Sequence, residues 1–326
     1  MNVSRAPGLV HGFLFPFDPG KSEKRKVNIM KKKILALTLA LALALGLAAC
    51  SGGGSNDDNS TDSPAPSETG SSASFPGIED GVLTIAMECA YAPYNWAQSD
   101  DSNGAVPIKD SNEYANGYDV MMAKKICEKL GVELEIVRLD WDSLIPAVQT
   151  GQVDATIAGQ SMTAGRMEMV DFAGPYYYAT IVCMTKQDSA LASATGISQL
   201  SGKTTAQIGT IWYDTCLPQI PGADIQTAAE SAPAMLMALE TGAVEFICTD
   251  MPTAQGAMLV YPDLKILDFT GSDDDFALEP GDVNVGIAVM KGNTTLTEQL
   301  NSALADYTAD DFPQIMNEAI TISPVE

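Results

Sequence analysis

One polar loop of this chain ends in a guanidinium. It reads Gly159-Gln160-Ser161-Met162-Thr163-Ala164-Gly165-Arg166. A guanidinium presents a planar fork of donors that fits a carboxylate with two parallel bonds. Ser161 and Thr163 add hydroxyls, and a helix start at this point adds free backbone N–H groups. The competing reading is a surface arginine on a capping turn. Asp250 stands two residues before Pro252. It is either the cap of a helix or a carboxylate that meets an ammonium group. Tyr91, Tyr94, Trp96 and Trp141 fall at the ends of strand-like runs, where they serve packing or sandwich the stem or cation of a ligand. Gly209-Thr210 precedes a helix start at Ile211, where free N–H groups suit a carboxylate. Glu88 follows the first strand, as a surface acid or as the partner of a cation.

Other chemistries are excluded by composition. The 326 residues contain a single histidine, His11, so a His-rich metal site and a Ser-His-Asp triad are both ruled out. Asp273-Asp274-Asp275 lacks the spacing of a calcium loop. No metal and no cofactor is expected. Lysine and arginine number 18 against 42 acids, for a net charge of −24. Eight of the cations fall within residues 1–49, which leaves ten cations against forty acids beyond. Nucleic acid needs clustered Lys and Arg and is not a partner of such a surface. Cys89, Cys127, Cys183, Cys216 and Cys248 show no C-x-x-C spacing and read as small buried hydrophobes.

The elements that position these residues follow from periodicity. Strands are expected at Val82–Met87, Glu133–Val137, Val153–Ala158, Thr204–Ile208, Val244–Thr249, Lys265–Phe269 and Val283–Met290. Helices are expected at Tyr118–Leu130, closed by Gly131, and at Asp142–Thr150, Ser231–Thr241 and Leu296–Leu304. The βαβ rhythm implies a mainly parallel sheet covered by helices. Ala147–Gly159 and Ala238–Asp250 echo each other: helix, Thr-Gly stop, acidic turn, strand, loop. Two such units suggest two α/β lobes, and in these sheets ligands bind beyond the carboxyl ends of the strands. The echo thus singles out the loop from Gly159 and the one from Asp250. Val283–Met290 follows the second lobe but completes the first, so two crossing strands form a hinge.

Met30-Lys31-Lys32-Lys33 and the apolar run Ile34–Ala49 read as a secretory signal, too short for a membrane span. The run ends Leu47-Ala48-Ala49-Cys50, which resembles a bacterial lipobox with Cys50 as the lipidated residue. Residues 1–29 fit neither leader nor domain, and translation is expected to start at Met30. Residues 50–78 form a flexible Gly/Ser/Pro-rich tether. Lobe 1 is expected over 79–182 plus 286–326, and lobe 2 over 183–285.

Taken together, these residues resemble the extracellular solute-binding proteins, family 3, of amino-acid ABC transporters. The resemblance rests on Tyr91-Ala92-Pro93-Tyr94, Gly117-Tyr118-Asp119-Val120, Trp141–Ala147, Gly151–Ala155, Ser161–Arg166, Val170–Tyr176 and Gly286–Gly292. It implies an α/β, two-lobed periplasmic-binding-protein-like (type II) fold with two hinge crossover strands. It also implies that Arg166 clamps the α-carboxylate of an amino acid. Ser161, Thr163 and Thr210 would add hydrogen bonds, with Gly159 in the same loop. Asp250 would take the α-ammonium, Tyr91 and Trp141 would flank the side chain, and Glu88 would face a cationic one. The chain departs from the family in a longer polar insertion, Gln98–Asn116, and in Tyr94 for the usual Phe. The expected function is capture of a polar or cationic amino acid, without catalysis, and delivery to an ABC permease. The protein is expected to be a monomer, lipid-anchored outside the cell membrane. The alternatives are a cyclohexadienyl-dehydratase-like enzyme on the same fold and a ligand-sensing ectodomain.

Overall fold

The computed structural model describes residues 75–324. The expected signal segment, Cys50, most of the tether and His11 lie outside the described residues.

The first strand, β1 (Val82–Met87), carries a run of apolar residues that are mostly buried. It is followed by four short antiparallel strands: β2 (Ala90–Tyr91), β3 (Asn95–Gln98), β4 (Val106–Pro107) and β5 (Tyr114–Asn116). Helix α1 (Tyr118–Leu130) turns Val120, Met122, Ala123, Ile126 and Cys127 inward and ends at Gly131, as its periodicity predicts. Then come β6 (Glu133–Arg138), α2 (Leu144–Gln149), β7 (Ala155–Thr156), α3 (Ala164–Met169) and β8 (Val170–Tyr178). The second half contains β9 (Ile181–Lys186), β10 (Ser201–Thr205), β11 (Gly222–Ile225), α4 (Ala232–Glu240), β12 (Phe246–Asp250), α5 (Met251–Val260) and β13 (Leu264–Leu267). The chain closes with α6 (Pro280–Val283), β14 (Asn284–Met290), α7 (Thr294–Leu304) and α8 (Asp311–Ile322).

Two five-stranded sheets result, ordered β6-β1-β7-β14-β8 and β11-β10-β12-β9-β13. The chain passes from the first to the second between Tyr178 and Ile181, and β14 brings it back. The expectation of mainly parallel sheets holds only for half of the ladders. β1 pairs in parallel with β6 and β7, and β10 with β11 and β12. β14 runs antiparallel to β7 and β8, and β9 to β12 and β13. The crossing accounts for this, because a strand that enters from the other lobe runs against those built by βαβ turns.

The two echoing segments occupy equivalent places. β7 is the middle strand of one sheet and β12 of the other. Each follows a helix stopped at a glycine with left-handed backbone, Gly151 (φ 70°) and Gly242 (φ 72°). Several strands and helices are shorter than expected. β7 keeps only two residues of Val153–Ala158, β10 ends at Thr205 rather than Ile208, and a 3-10 turn over Trp141–Ser143 replaces the first turn of the helix at 142. No long helix starts at Ile211; a π-helical turn spans Trp212–Cys216.

The insertion Gln98–Asn116 folds back on the edge of the first sheet. Lys109 N–H donates to the Ile136 carbonyl at 2.8 Å, and Glu113 pairs with Arg138 at 2.7 Å. All five described cysteines are free and buried. No helix among the described residues is long and apolar enough to cross a membrane.

Candidate functional site

A narrow cavity of about 20 Å³ lies where the two sheets meet. The first lobe supplies Tyr91, Trp141, Gly159, Ser161 and Arg166 to its wall. The second supplies Gln207, Thr210, Ile211, Trp212 and Asp250, and the segments between the lobes add Ala179, Ile181 and Val285. Both echoing loops therefore reach one site, one from each lobe.

Arg166 lies on α3, whose cap is the Thr163 hydroxyl, accepting the Arg166 backbone N–H at 3.3 Å. The Arg166 side chain donates to the Ser161 carbonyl at 2.9 Å and, across the lobes, to the Gly209 carbonyl at 2.8 Å. Its guanidinium carbon stands 5.5 Å from the centre of the Trp141 ring, a cation–π arrangement. Trp141 is thus a platform for Arg166 as well as a wall of the cavity. Among the described residues, no carboxylate comes within ion-pair distance of Arg166. Burial pushes its pKa down to about 10, with Asp214 acting against the shift. A guanidinium so placed favours the arrival of an anion.

Asp250 caps a helix and also reaches the opposite lobe. One carboxylate oxygen caps α5, accepting the Thr253 N–H at 2.9 Å. The other accepts the Tyr91 hydroxyl at 2.6 Å, from the opposite lobe. Burial raises the Asp250 pKa, while these donors oppose the rise. The Tyr91 ring stacks on Tyr94 at 4.7 Å and meets Trp212 edge-on at 5.9 Å. Gly159 makes this packing possible, since a Cβ there would stand 2.5 Å from Tyr91 Cε1, at a φ of +64°.

A buried network holds the Gly159 loop from below. Gly159 N–H donates to the Tyr176 hydroxyl at 3.1 Å, which donates to Asp119 at 2.6 Å. Asn95 donates to the other Asp119 oxygen at 2.7 Å and accepts the Cys89 N–H at 2.7 Å. Burial raises Asp119 to about 7.

Two predicted residues fall outside the cavity wall: Thr163, a cap behind Arg166, and Glu88. Glu88 lines an adjoining cleft of about 830 Å³, with Asp140, Asp142, Glu230, Arg138 and Trp141. Burial lifts its pKa to about 7; a hydrogen bond from Gln207 opposes the rise, and Asp140 and Asp142 add to it. Thr210 reaches the cavity and spends its hydroxyl proton on the Gln207 carbonyl at 2.7 Å. Gln207 and Trp212 were not expected. Gln207 was assigned to a strand that in fact ends two residues earlier. Trp212 directly follows Gly209-Thr210-Ile211, and its position there was the available signal. None of the insertion residues 98–116 lines the cavity or the acidic cleft.

The sequence and the fold match known proteins. Residues 83–320 fit the model of bacterial extracellular solute-binding proteins, family 3, and the chain belongs to that family. A probable histidine-binding protein of Neisseria gonorrhoeae is 28% identical over 240 residues, 72% of this chain and 81% of that protein. The crystal structure of an amino acid ABC transporter substrate-binding protein from Streptococcus pneumoniae, bound to L-arginine, superposes with a TM-score of 0.59 at 26% identity. It covers 74% of this chain and 95% of that one. An ancestral amino-acid-binding protein, described as a precursor of cyclohexadienyl dehydratase, superposes with a TM-score of 0.60 at 25% identity, over 74% of this chain and 97% of that one. The fold is the two-lobed type II architecture of these binding proteins.

Proposed function

We propose that this protein captures a free amino acid with a cationic side chain between its lobes and delivers it to the permease of an ABC importer. The observation that carries the cationic preference is the acidic cleft: Glu88, Asp140, Asp142 and Glu230 wall the space next to the cavity that holds Arg166 and Asp250. The L-arginine carried by the pneumococcal relative supports the same reading. Arg166 takes the α-carboxylate and Asp250 the α-ammonium, so the two ends of a zwitterion are held from opposite lobes. Trp141 and Tyr91 border the side chain. The Tyr91–Asp250 and Arg166–Gly209 bonds already join the lobes. The cavity between them has room for about one water, so the lobes must part to admit a ligand. Both sets of ligand contacts form only on closure, and the ligand thereby favours the closed form.

Glu88→Gln removes the charge and keeps the shape. Arginine and lysine affinity, measured by calorimetry on ligand-free protein, is expected to fall roughly 30-fold or more. Glutamine affinity is expected to change little. Unchanged arginine and lysine affinity would remove the case for a cationic ligand.

On this reading lobe 1 spans 79–182 and 286–326 and lobe 2 spans 183–285. The protein acts as a monomer and carries out no covalent step. Turnover of prephenate or arogenate by the purified protein would overturn that last point. Cys50 carries the lipid that keeps the protein at the outer face of the cell membrane, a role that needs two acyl chains for stable anchoring. Cys50→Ala is expected to move the protein from the membrane fraction to the medium, and its retention in the membrane fraction would refute the anchor.

A further inference from the structure

Glu88 and Gln207 meet across the lobes. Glu88 directly follows β1, and Gln207 lies just past β10. Gln207 Nε2 donates to Glu88 Oε2 at 3.3 Å, and both side chains are buried. Gln207 borders the cavity of Arg166 and Asp250, whereas Glu88 borders the acidic cleft. Their hydrogen bond joins a wall residue of one space to a wall residue of the other, and Trp141 lines both. The Gln207 backbone is pinned independently. Its carbonyl accepts the Thr210 hydroxyl, and residue 207 bridges to Ala229 in parallel. The amide group can thus be exchanged for another without remaking the loop.

We propose that Gln207 is a specificity-determining residue of this site, the neutral donor that a cationic ligand side chain displaces from Glu88. The inference rests on the amino-acid reading above. A guanidinium or ammonium that replaces the amide turns a neutral donor into a charged one and adds the attraction between opposite charges to the hydrogen bond on Glu88. The released amide oxygen is itself an acceptor for the same cation. Asp140, Asp142 and Glu230 add to the attraction, and Arg138 is engaged by Glu113. A neutral side chain trades one neutral donor for another and gains nothing. The Gln207–Glu88 pair therefore sets a threshold on the charge of the ligand more than on its length, a case of discrimination against the wrong partner.

The test compares arginine with citrulline, its neutral isostere, by calorimetry. In the wild type, arginine is expected to bind the more tightly. Gln207→Lys gives Glu88 a resident ammonium that competes with the ligand's own. Arginine affinity is expected to fall roughly 100-fold while citrulline affinity stays within about threefold. Gln207→Leu removes both the neutral donor that holds off a neutral side chain and the acceptor that favours a cation, so the arginine-to-citrulline ratio is expected to fall roughly tenfold. That variant decides the matter if the lysine variant does not fold. Equal weakening of arginine and citrulline in Gln207→Lys, or an unchanged or higher ratio in Gln207→Leu, overturns the role of Gln207 alone. A wild type that binds neither lysine, arginine nor any other amino acid overturns the parent reading with it.

Discussion

Arg166→Ala is expected to lower affinity for the amino-acid ligand by roughly three orders of magnitude, while the circular dichroism spectrum stays native. The size of the effect follows from the surroundings of the guanidinium. Its two hydrogen bonds within the protein go to carbonyl oxygens, at Ser161 and Gly209, and not to carboxylates. Five donors are available on the group, so three remain for a ligand. Burial already depresses its pKa to about 10, so the bound α-carboxylate is the counter-ion this site needs. Arg166→Lys is expected to rescue little, because an ammonium cannot span both carbonyls and a bidentate carboxylate together. Nor does it stack on Trp141 in the same way. Calorimetry with arginine would decide, and a loss of less than tenfold would remove Arg166 from the site.

Asp250→Asn is expected to have the second largest effect, a loss of roughly 100-fold. Here the choice of substitution matters, because Asp250 is both helix cap and ligand group. Asparagine retains an acceptor for the Thr253 N–H and so keeps α5 capped. It removes the charge that faces an α-ammonium. The thermal midpoint should thus move little while affinity drops; Asp250→Ala should also cost about 1 kcal/mol of stability through the lost cap. Burial raises the Asp250 pKa, and an ammonium beside it would lower it again. Protons and ligand compete for the same oxygens, so affinity is expected to fall as pH is lowered. Glu88, held at about 7, shifts the onset of that fall toward neutral pH. A wild type with pH-independent affinity between pH 5 and 8 would contradict the assignment of Glu88.

The fold was legible wherever local pattern and tertiary demand coincide. Helix α1 has the expected bounds because its apolar stripe and its terminal glycine act within the segment itself. The echo of Ala147–Gly159 in Ala238–Asp250 marked the two central strands, since both meet the same packing problem in their sheets. Strand lengths were less legible. Val153, Ile157 and Ala158 are buried like strand residues, yet only Ala155 and Thr156 pair with neighbours. Hydrophobic pattern reports burial, and a ladder needs a partner at the right height as well. The mixed direction of the two sheets was hidden for a related reason: the direction of a strand depends on where the chain enters a lobe.

Residue type and spacing alone mark two candidates for holding a zwitterion. Arg166 stands out because so few cations remain beyond residue 49, and Asp250 because it ends the strand that echoes the one before Gly159. Residue type and spacing carry that information, being properties of one segment at a time. Where each candidate side chain stands depends on how the folded lobes pack. The tertiary structure set Thr163 behind Arg166 as a cap, laid Trp141 under the guanidinium, and moved Glu88 into a neighbouring cleft among other acids. It also brought in Gln207 and Trp212 from the second lobe. Apart from the Thr163 cap, three residues from Arg166, these assignments join residues from 25 positions apart, for Trp141 and Arg166, to 159, for Tyr91 and Asp250, and no pattern within a single segment encodes such a distance.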